Sequence, residues 1–381
     1  MNLRHLKAVT AIVDSGSISA AARAVNLTQP AITQAIAKIE AGLDTPLFER
    51  TPSGMVPTDA GRILASRAEV ALQFVGSSRV TAPQMRAFIA LARSGSYAGA
   101  ATATGMREPS LHRAVTDLSL GIGHKLVERR GRGVALTGRG IQIARRFRLA
   151  QAELQSALDE LARLRGREVG RIVIGAMPLS RAQLLPNAIG SFHKHHPDVD
   201  IMVVEGSYAE MAGPLRDGEI DLLLGALREV PSPDLQQSPL FVDRPVVLGR
   251  TGHPLDKRNP TIKQLAAYPW IVPPAEAPLR KHWQQMFAGS GVSAPRVAIE
   301  CGSVLVIRQL LMQDDYLTLL SPAQVAVELE AGWLSRICSA PGDPCRTIGL
   351  TCRADWRPTQ LQKRFLDVIG TEARNISETR D

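Results

Sequence analysis

From Leu3 to Asp14 the apolar residues Leu6, Val9, Ile12 and Val13 return at helical intervals on one face, which predicts an amphipathic helix. Ser17 is placed to cap a second helix, whose Ala20, Ala21, Ala22 and Ala24 are small enough to let a neighbouring helix come close. Val25-Asn26-Leu27 supplies a turn. Thr28 is then the N-cap of a third helix with Pro30 in its first turn, where a missing N–H costs little. Ile32, Ala35, Ile36 and Ile39 would turn inward, leaving Gln29, Thr33, Gln34 and Lys38 outside. Leu47 to Pro57, turning at Pro52-Ser53-Gly54, reads as a short hairpin or wing. Together these predict a helix-turn-helix with a polar outer face and a wing.

The same pattern returns, without a gap, 79 residues later. Ser15-Gly16-Ser17 matches Ser94-Gly95-Ser96, Ala21-Ala22 matches Ala100-Ala101, and Pro30 matches Pro109. Ala35/Ala114, Gly42/Gly121, Leu47/Leu126, Glu49-Arg50/Glu128-Arg129, Gly54/Gly133, Thr58/Thr137 and Gly61/Gly140 continue the series. Residues 1–78 and 79–140 are therefore expected to be two successive modules of one kind.

Residues 141–165 contain neither proline nor an internal glycine and carry a seven-residue repeat. Phe147, Leu154 and Leu161 fall at one core position and Ile143, Ala150, Ala157 and Leu164 at the other. Such a seam can pair two helices, or pack one helix onto its own domain. Gly166-Arg167-Glu168-Val169-Gly170 breaks this linker helix (141–167) into a hinge. Beyond it, short apolar runs alternate with helical segments: strands at Arg171–Gly175, Val199–Glu205 and Ile220–Gly225, helices from Ser180 to His195 and Met211 to Gly218. That order implies parallel strands. Val246–Gly249, Trp270-Ile271-Val272 and Tyr316–Leu320 suggest a second α/β lobe before the chain returns near Cys345–Cys352, within a domain spanning 168–375.

Charge follows the same division. Residues 1–80 hold 8 Lys+Arg and 6 Asp+Glu, residues 81–167 hold 15 and 6, and the remainder holds 22 and 24. The excess positive charge thus sits in the first half, as expected if only that half meets a phosphate backbone. The start of the chain, Met1 to Lys7, has no apolar run of the kind that directs secretion, so a cytoplasmic protein without membrane contact is expected. Cys301, Cys338, Cys345 and Cys352 lack metal-binding spacing and read as reduced, structural thiols. The cluster His193-Lys194-His195-His196 reads as cations at a helix C-terminus rather than a metal site. No cofactor or metal is expected.

The string Ala21-Ala22-Arg23-Ala24-Val25-Asn26-Leu27-Thr28-Gln29-Pro30-Ala31-Ile32-Thr33, followed by Ile39-Glu40, Leu43 and Leu47-Phe48-Glu49-Arg50, closely resembles the N-terminal domain of LysR-type regulators. The resemblance implies that the third helix enters the DNA major groove, with Gln29, Pro30, Thr33 and Gln34 facing bases and Thr28, Lys38 and Arg50 facing phosphates. Glutamine can donate and accept toward an adenine edge, and the cations neutralise phosphate. The second copy departs from this pattern. Arg107-Glu108-Pro109-Ser110-Leu111-His112-Arg113 replaces the Gln-Pro run, and Leu118-Ser119 replaces the hydrophobic-Glu pair. Arg107, His112 and Arg113, with Arg129, Arg130 and Arg132 at its more basic wing, are expected to add phosphate affinity; a role in dimerisation is the alternative. LysR-type proteins dimerise through a helix placed like residues 141–167, so a dimer or tetramer is implied.

Gly170–Gly175, Leu184-Leu185-Pro186, His196–Val199 and Gly218–Leu222 resemble the LysR effector domain, which has a two-lobed, periplasmic-binding-protein-like α/β fold. Leu317–Val325 is similar to a subgroup related to the galactose-binding-protein regulator. Ligands in such folds sit outside the carboxyl ends of the strands, often against helix N-termini that favour anions. The candidates at those places are Pro178, Leu179, Ser180, Gly206, Ser207, Ala226 and Arg228 from one lobe. Pro273, Glu276 and Ser303, the last placed to cap the helix carrying Arg308, come from the other. The expected partners are double-stranded DNA, a small-molecule effector such as a small carboxylate or sugar-derived acid, further copies of the chain, and RNA polymerase. A nonspecific architectural DNA-binding protein would not need the second half. An enzyme is disfavoured by the absence of a nucleophile elbow, P-loop or zinc motif.

Overall fold

The computed structural model describes residues 2–52, 54–131, 133–230, 232–288 and 290–378 of the 381-residue chain. Near Gly170 the chain divides into two compact units.

The first unit opens with α1 (Leu3–Ser15), α2 (Ile18–Ala24) and α3 (Gln29–Leu43), followed by the hairpin β1 (Phe48–Thr51) and β2 (Gly54–Pro57) and by α4 (Asp59–Val75). Gly16 ends α1 in the left-handed region at φ 67°. The Ser17 hydroxyl then accepts from the Ala20 N–H at 3.1 Å and starts α2. The same succession follows as α5 (Ala82–Ser94), α6 (Tyr97–Thr104), α7 (Glu108–Ile122), β3 (Val127–Arg130), β4 (Gly133–Leu136) and α8 (Gly138–Leu164). Gly95 at φ 64° and Ser96, accepting from the Gly99 N–H at 3.1 Å, repeat the turn between the first two helices.

The residues that recur 79 positions apart do so for a steric reason. The Thr58 and Thr137 N–H groups each donate to a carbonyl, of Leu47 and Leu126, at 3.0 Å, which tucks the start of α4 or α8 under its wing. The next turn passes so close that a Cβ on Gly61 would lie 2.1 Å from the Leu47 oxygen, and one on Gly140 would lie 2.0 Å from the Leu126 oxygen. No larger residue fits at either place without moving backbone.

Helices α4 and α8 pack on one another, and a single apolar core runs through both modules. Ile143, Phe147, Ala150, Ala157 and Leu161 of the predicted seam are buried in it, with Leu154 against its edge. The expectation that this seam pairs two chains is therefore corrected. Leu64, Ala65, Ala68, Ala71 and Val75 of α4 offer a matching apolar stripe inside the same chain, and the seam is used there. Leu164, at the helix end, stays exposed. A buried ion cluster crosses the pair: Arg67 of α4 reaches Glu153 and Glu160 of α8, each at 3.0 Å, with side-chain exposures of 5%, 9% and 15%.

The second unit contains two five-stranded sheets. The first has the order β6-β5-β7-β14-β8, built from β5 (Gly170–Ala176), β6 (Val199–Glu205), β7 (Leu222–Ala226), β8 (Leu235–Asp243) and β14 (Arg346–Arg353). Helices α9 (Leu184–His193), α10 (Tyr208–Arg216) and the terminal α15 (Gln360–Glu378) complete that lobe. The second sheet, ordered β11-β10-β12-β9-β13, comprises β9 (Val246–Arg250), β10 (Trp270–Val272), β11 (Ile299–Glu300), β12 (Leu317–Leu320) and β13 (Leu334–Ser339). Its helices are α11 (Ile262–Ala266), α12 (Pro278–Ala288), α13 (Val304–Gln313) and α14 (Ala326–Glu330). Trp270, Trp283 and Phe287 meet edge to face at its centre, with centroids 5.4 to 6.0 Å apart.

The β5/β7 and β10/β12 pairs are parallel, as the alternating pattern implies. Each sheet also holds antiparallel strands that the pattern did not predict, because β14 and β9 carry the chain between lobes. At that crossing the buried Asp243 carboxylate accepts from the Ser321 hydroxyl at 2.6 Å and from Arg346 Nε at 2.9 Å, tying both crossing strands together. The first helix of this unit starts at Leu184, not Ser180, since Pro178–Gln183 forms turns.

Candidate functional site

Helix α3 buries Ile32, Ala35, Ile36 and Ile39 and exposes Gln29, Pro30, Thr33, Gln34 and Lys38, so the predicted outer face is assembled on one side of one rigid helix. Thr28 accepts from the Ala31 N–H at 3.4 Å as the N-cap, and Thr33 donates to the Gln29 carbonyl at 3.1 Å. Arg50 is exposed on β1. Glu40 fixes the wing to α3: its Oε1 accepts from the Leu47 N–H at 2.7 Å and the Phe48 N–H at 3.3 Å. Glu40 appears in the sequence only as half of a motif, and its job becomes visible when the loop folds back on it.

On α7 the buried face is Leu111, Val115 and Leu118, and Arg107, His112 and Arg113 are exposed, as are Arg129 and Arg130 on β3. Arg132 lies outside the described residues. Three local differences separate this copy from the first. Arg107 stands at the N-cap without a side-chain bond, where Thr28 has one, and Glu108 puts a carboxylate into the first turn. Ser119 turns its hydroxyl back onto the Val115 carbonyl at 3.0 Å, so the carboxylate that pins the first wing has no counterpart. His112 leans on the Tyr97 ring at 4.8 Å between centroids.

In the second unit the predicted residues gather in two groups. In the first lobe, Ser180 is fully buried and its hydroxyl meets the Met177 and Leu224 carbonyls at 2.8 and 3.0 Å, joining the loop after β5 to strand β7; Leu179 is buried beside it. Ser207 and Glu210 cap α10 reciprocally, the hydroxyl donating to Glu210 Oε2 at 2.8 Å. The hydrogen bonds from the Ser207 backbone and side chain hold the Glu210 carboxyl below its ordinary range. Gly206 and Ser207 lead into Tyr208, whose ring lies 4.4 Å below the Arg228 guanidinium carbon. Arg228 also exchanges backbone bonds with the Gln237 amide at 2.7 and 3.1 Å, just beyond Ala226. Burial draws this guanidinium down from its usual range, and among the described residues no carboxylate is paired with it.

In the second lobe, Pro273, Pro274 and Glu276 follow β10, and Gly302 lies against Pro274, bringing Ser303 alongside. Ser303 occupies the N-cap of α13 but makes no capping bond, which corrects the expectation for its side chain. Arg308 is engaged by the buried Glu328. Sequence reasoning did not single out α12, yet it reaches the first lobe: Lys281 lies 3.4 Å from Glu229, the residue after Arg228, and His282 lies in the field of Arg346. A cation cluster on a helix following a strand end is the signal that points to it.

Comparison with known proteins agrees with these geometries. The LysR substrate binding domain matches residues 165–374, and the bacterial regulatory helix-turn-helix of the lysR family matches twice, at 3–62 and 83–141. The HTH-type transcriptional regulator GalR of Pseudomonas putida is 33% identical over 93% of this chain and 92% of its own length. The SDS degradation transcriptional activation protein of a Pseudomonas species is 32% identical over 68% of this chain and 85% of its own. A full-length OxyR variant from Pseudomonas aeruginosa shares the fold at a TM-score of 0.58 and 21% identity, over 77% of this chain and 94% of that one. By their names, both of the first two relatives regulate transcription. The chain belongs to the LysR family of transcriptional regulators.

Proposed function

We propose that the chain reads a specific duplex DNA sequence by laying α3 in the major groove, and that a small anion held between the lobes of its second unit sets the outcome. The reading is carried by α3: an all-apolar buried face behind an outer face of Gln29, Pro30, Thr33, Gln34 and Lys38. Amide side chains on a helix can pair with adenine N6 and N7, while Lys38 and Arg50 neutralise phosphate and Thr28 donates to it. The second module adds cations at Arg107, His112, Arg113, Arg129, Arg130 and Arg132.

The anion preference rests on Arg228. This half-buried cation stacks on Tyr208 without a paired carboxylate among the described residues, and Lys281 of the other lobe reaches its neighbour Glu229. A small carboxylate or sugar-derived acid would meet Arg228, the Gly206-Ser207 loop and, from the other lobe, Pro273, Glu276 and Ser303. RNA polymerase and further copies of the chain are the remaining partners, the latter through surfaces other than the occupied α8 seam.

Isothermal titration of the purified chain against a panel of small carboxylates, sugar acids and neutral hydrophobes tests the ligand class. Binding of acids, lost in Arg228→Ala, is the expected result; selective binding of neutral hydrophobes overturns it.

A further inference from the structure

The contacts between α4 and α8 repeat when the two modules are exchanged. Arg67 donates to Glu153 and Glu160. Moving Arg67 forward by 79 residues gives Arg146, and moving Glu153 back by 79 gives Phe74. Arg146 Nε indeed donates to the Phe74 carbonyl at 2.8 Å, and its Nη2 to the Gln73 carbonyl at 3.1 Å. The segments that follow the two long helices behave alike as elements, each touching the end of the other module's third helix, although their residues are not 79 positions apart. Arg165, just past α8, donates to the Leu43 carbonyl at the end of α3 at 2.7 Å. Arg79, past α4, lies 3.8 Å from the position of a Cβ on Gly121, at the end of α7. As the α4 position rises from Arg67 to Phe74, the α8 position falls from Glu153 to Arg146, so the helices run antiparallel.

Contact of i with j, matched by contact of j with i, is the signature of a two-fold axis. Here the axis relates two halves of one chain. We propose that a single chain is a complete two-fold DNA-reading unit whose α3 and α7 occupy two inverted half-sites of unequal sequence. This rests on the reading of α3 given above. Duplex DNA has two-fold axes across its grooves, and a two-fold protein reads inverted half-sites a whole number of helical turns apart. Two identical chains would demand identical halves; this chain does not.

The exposed faces of the two helices differ at each corresponding position. Gln29, Thr33, Gln34 and Lys38 on α3 correspond to Glu108, His112, Arg113 and Asp117 on α7. Glutamine favours adenine, whereas arginine at the Gln34 position favours guanine through O6 and N7. The preferred site is therefore an imperfect palindrome, with an adenine-reading half under α3 and a guanine-bearing half under α7.

Selection of random duplexes by the full-length protein, repeated with Gln34→Ala and Arg113→Ala, tests this. Both residues are exposed, and unchanged melting curves verify that the variants fold. The expected result is a bipartite motif in which Gln34→Ala relaxes one half and Arg113→Ala relaxes the other, each weakening binding roughly tenfold. If Arg113→Ala leaves motif and affinity unchanged, or Gln34→Ala relaxes both halves, the proposal is overturned while the α3 reading stands. A wild-type chain that selects no motif overturns both.

Discussion

The Arg67 guanidinium lies 3.0 Å from the carboxylates of both Glu153 and Glu160, 86 and 93 residues away, and joins the two modules through their long helices. Burial alone would lower the pKa of this group; the hydrogen bonds it donates to Glu160 and Glu153 outweigh burial and hold it above its ordinary value. Removing one partner from such a cluster leaves buried charge uncompensated, at a cost of about 3–5 kcal/mol. Arg67→Ala should therefore lower the melting temperature of the N-terminal half by many degrees. Replacing all three residues by leucine should restore most of the loss, and calorimetry of the two variants decides it.

Gly61 and Gly140 offer a purely steric test. Because a Cβ at either place meets a backbone carbonyl near 2 Å, Gly61→Ala and Gly140→Ala should each cost more than ~1 kcal/mol, despite the usual gain from replacing glycine in a helix. Gly42→Ala, with open space around it, should be neutral or stabilising in the same chemical denaturation series.

The second unit should weaken in mild acid. The buried His253 accepts the Leu255 N–H on Nδ1 at 3.0 Å, which requires that nitrogen to be unprotonated. Burial lowers its pKa from 6.5, and burial followed by the field of Arg346 does the same to His282. For a histidine with a lowered folded-state pKa, the stabilisation is complete above the unfolded value and disappears as the pH falls below it. The melting temperature should hold from pH 8 to about 6.5 and then drop toward pH 5. His282→Gln should make the drop shallower; a flat profile in the wild type contradicts the assignment.

Thiol labelling at neutral pH should separate the cysteines. Burial pushes the Cys352 thiol up to about 12 and Cys338 to about 11, while Cys345 is exposed. Maleimide should modify Cys345 first and reach Cys352 only in denaturant, read by peptide mass spectrometry. Equal rates in the native protein would contradict the burial.

These features differ in how far the sequence announces them. The outer face of α3 is legible because Ile32, Ala35, Ile36 and Ile39 mark its buried side by local period, and period needs no knowledge of the partner. The seam of α8 is legible in the same way as to which residues are buried, but not as to what buries them, since a heptad pattern fits α4 of the same chain as well as a second chain. Arg67 is illegible: an arginine between Ser66 and Ala68 reads as exposed until Glu153 and Glu160 arrive from distant positions. Strand β8 is obscured by Gln236, Gln237 and Pro239, which a strand at the sheet edge tolerates. Ser180 and Ser207 follow strands β5 and β6, as their places in the sequence imply, while the fate of their hydroxyls depends on carbonyls and carboxylates that only the fold brings near.

Sequence reading by α3 can be measured by fluorescence anisotropy. The full-length chain is titrated onto its selected duplex and onto a scrambled duplex of equal length, at physiological salt. The selected duplex should bind at least ~1000-fold more tightly, and Gln29→Ala with Gln34→Ala should bring the two curves together while leaving scrambled binding unchanged. Equal affinities for both duplexes in the wild-type protein would contradict it.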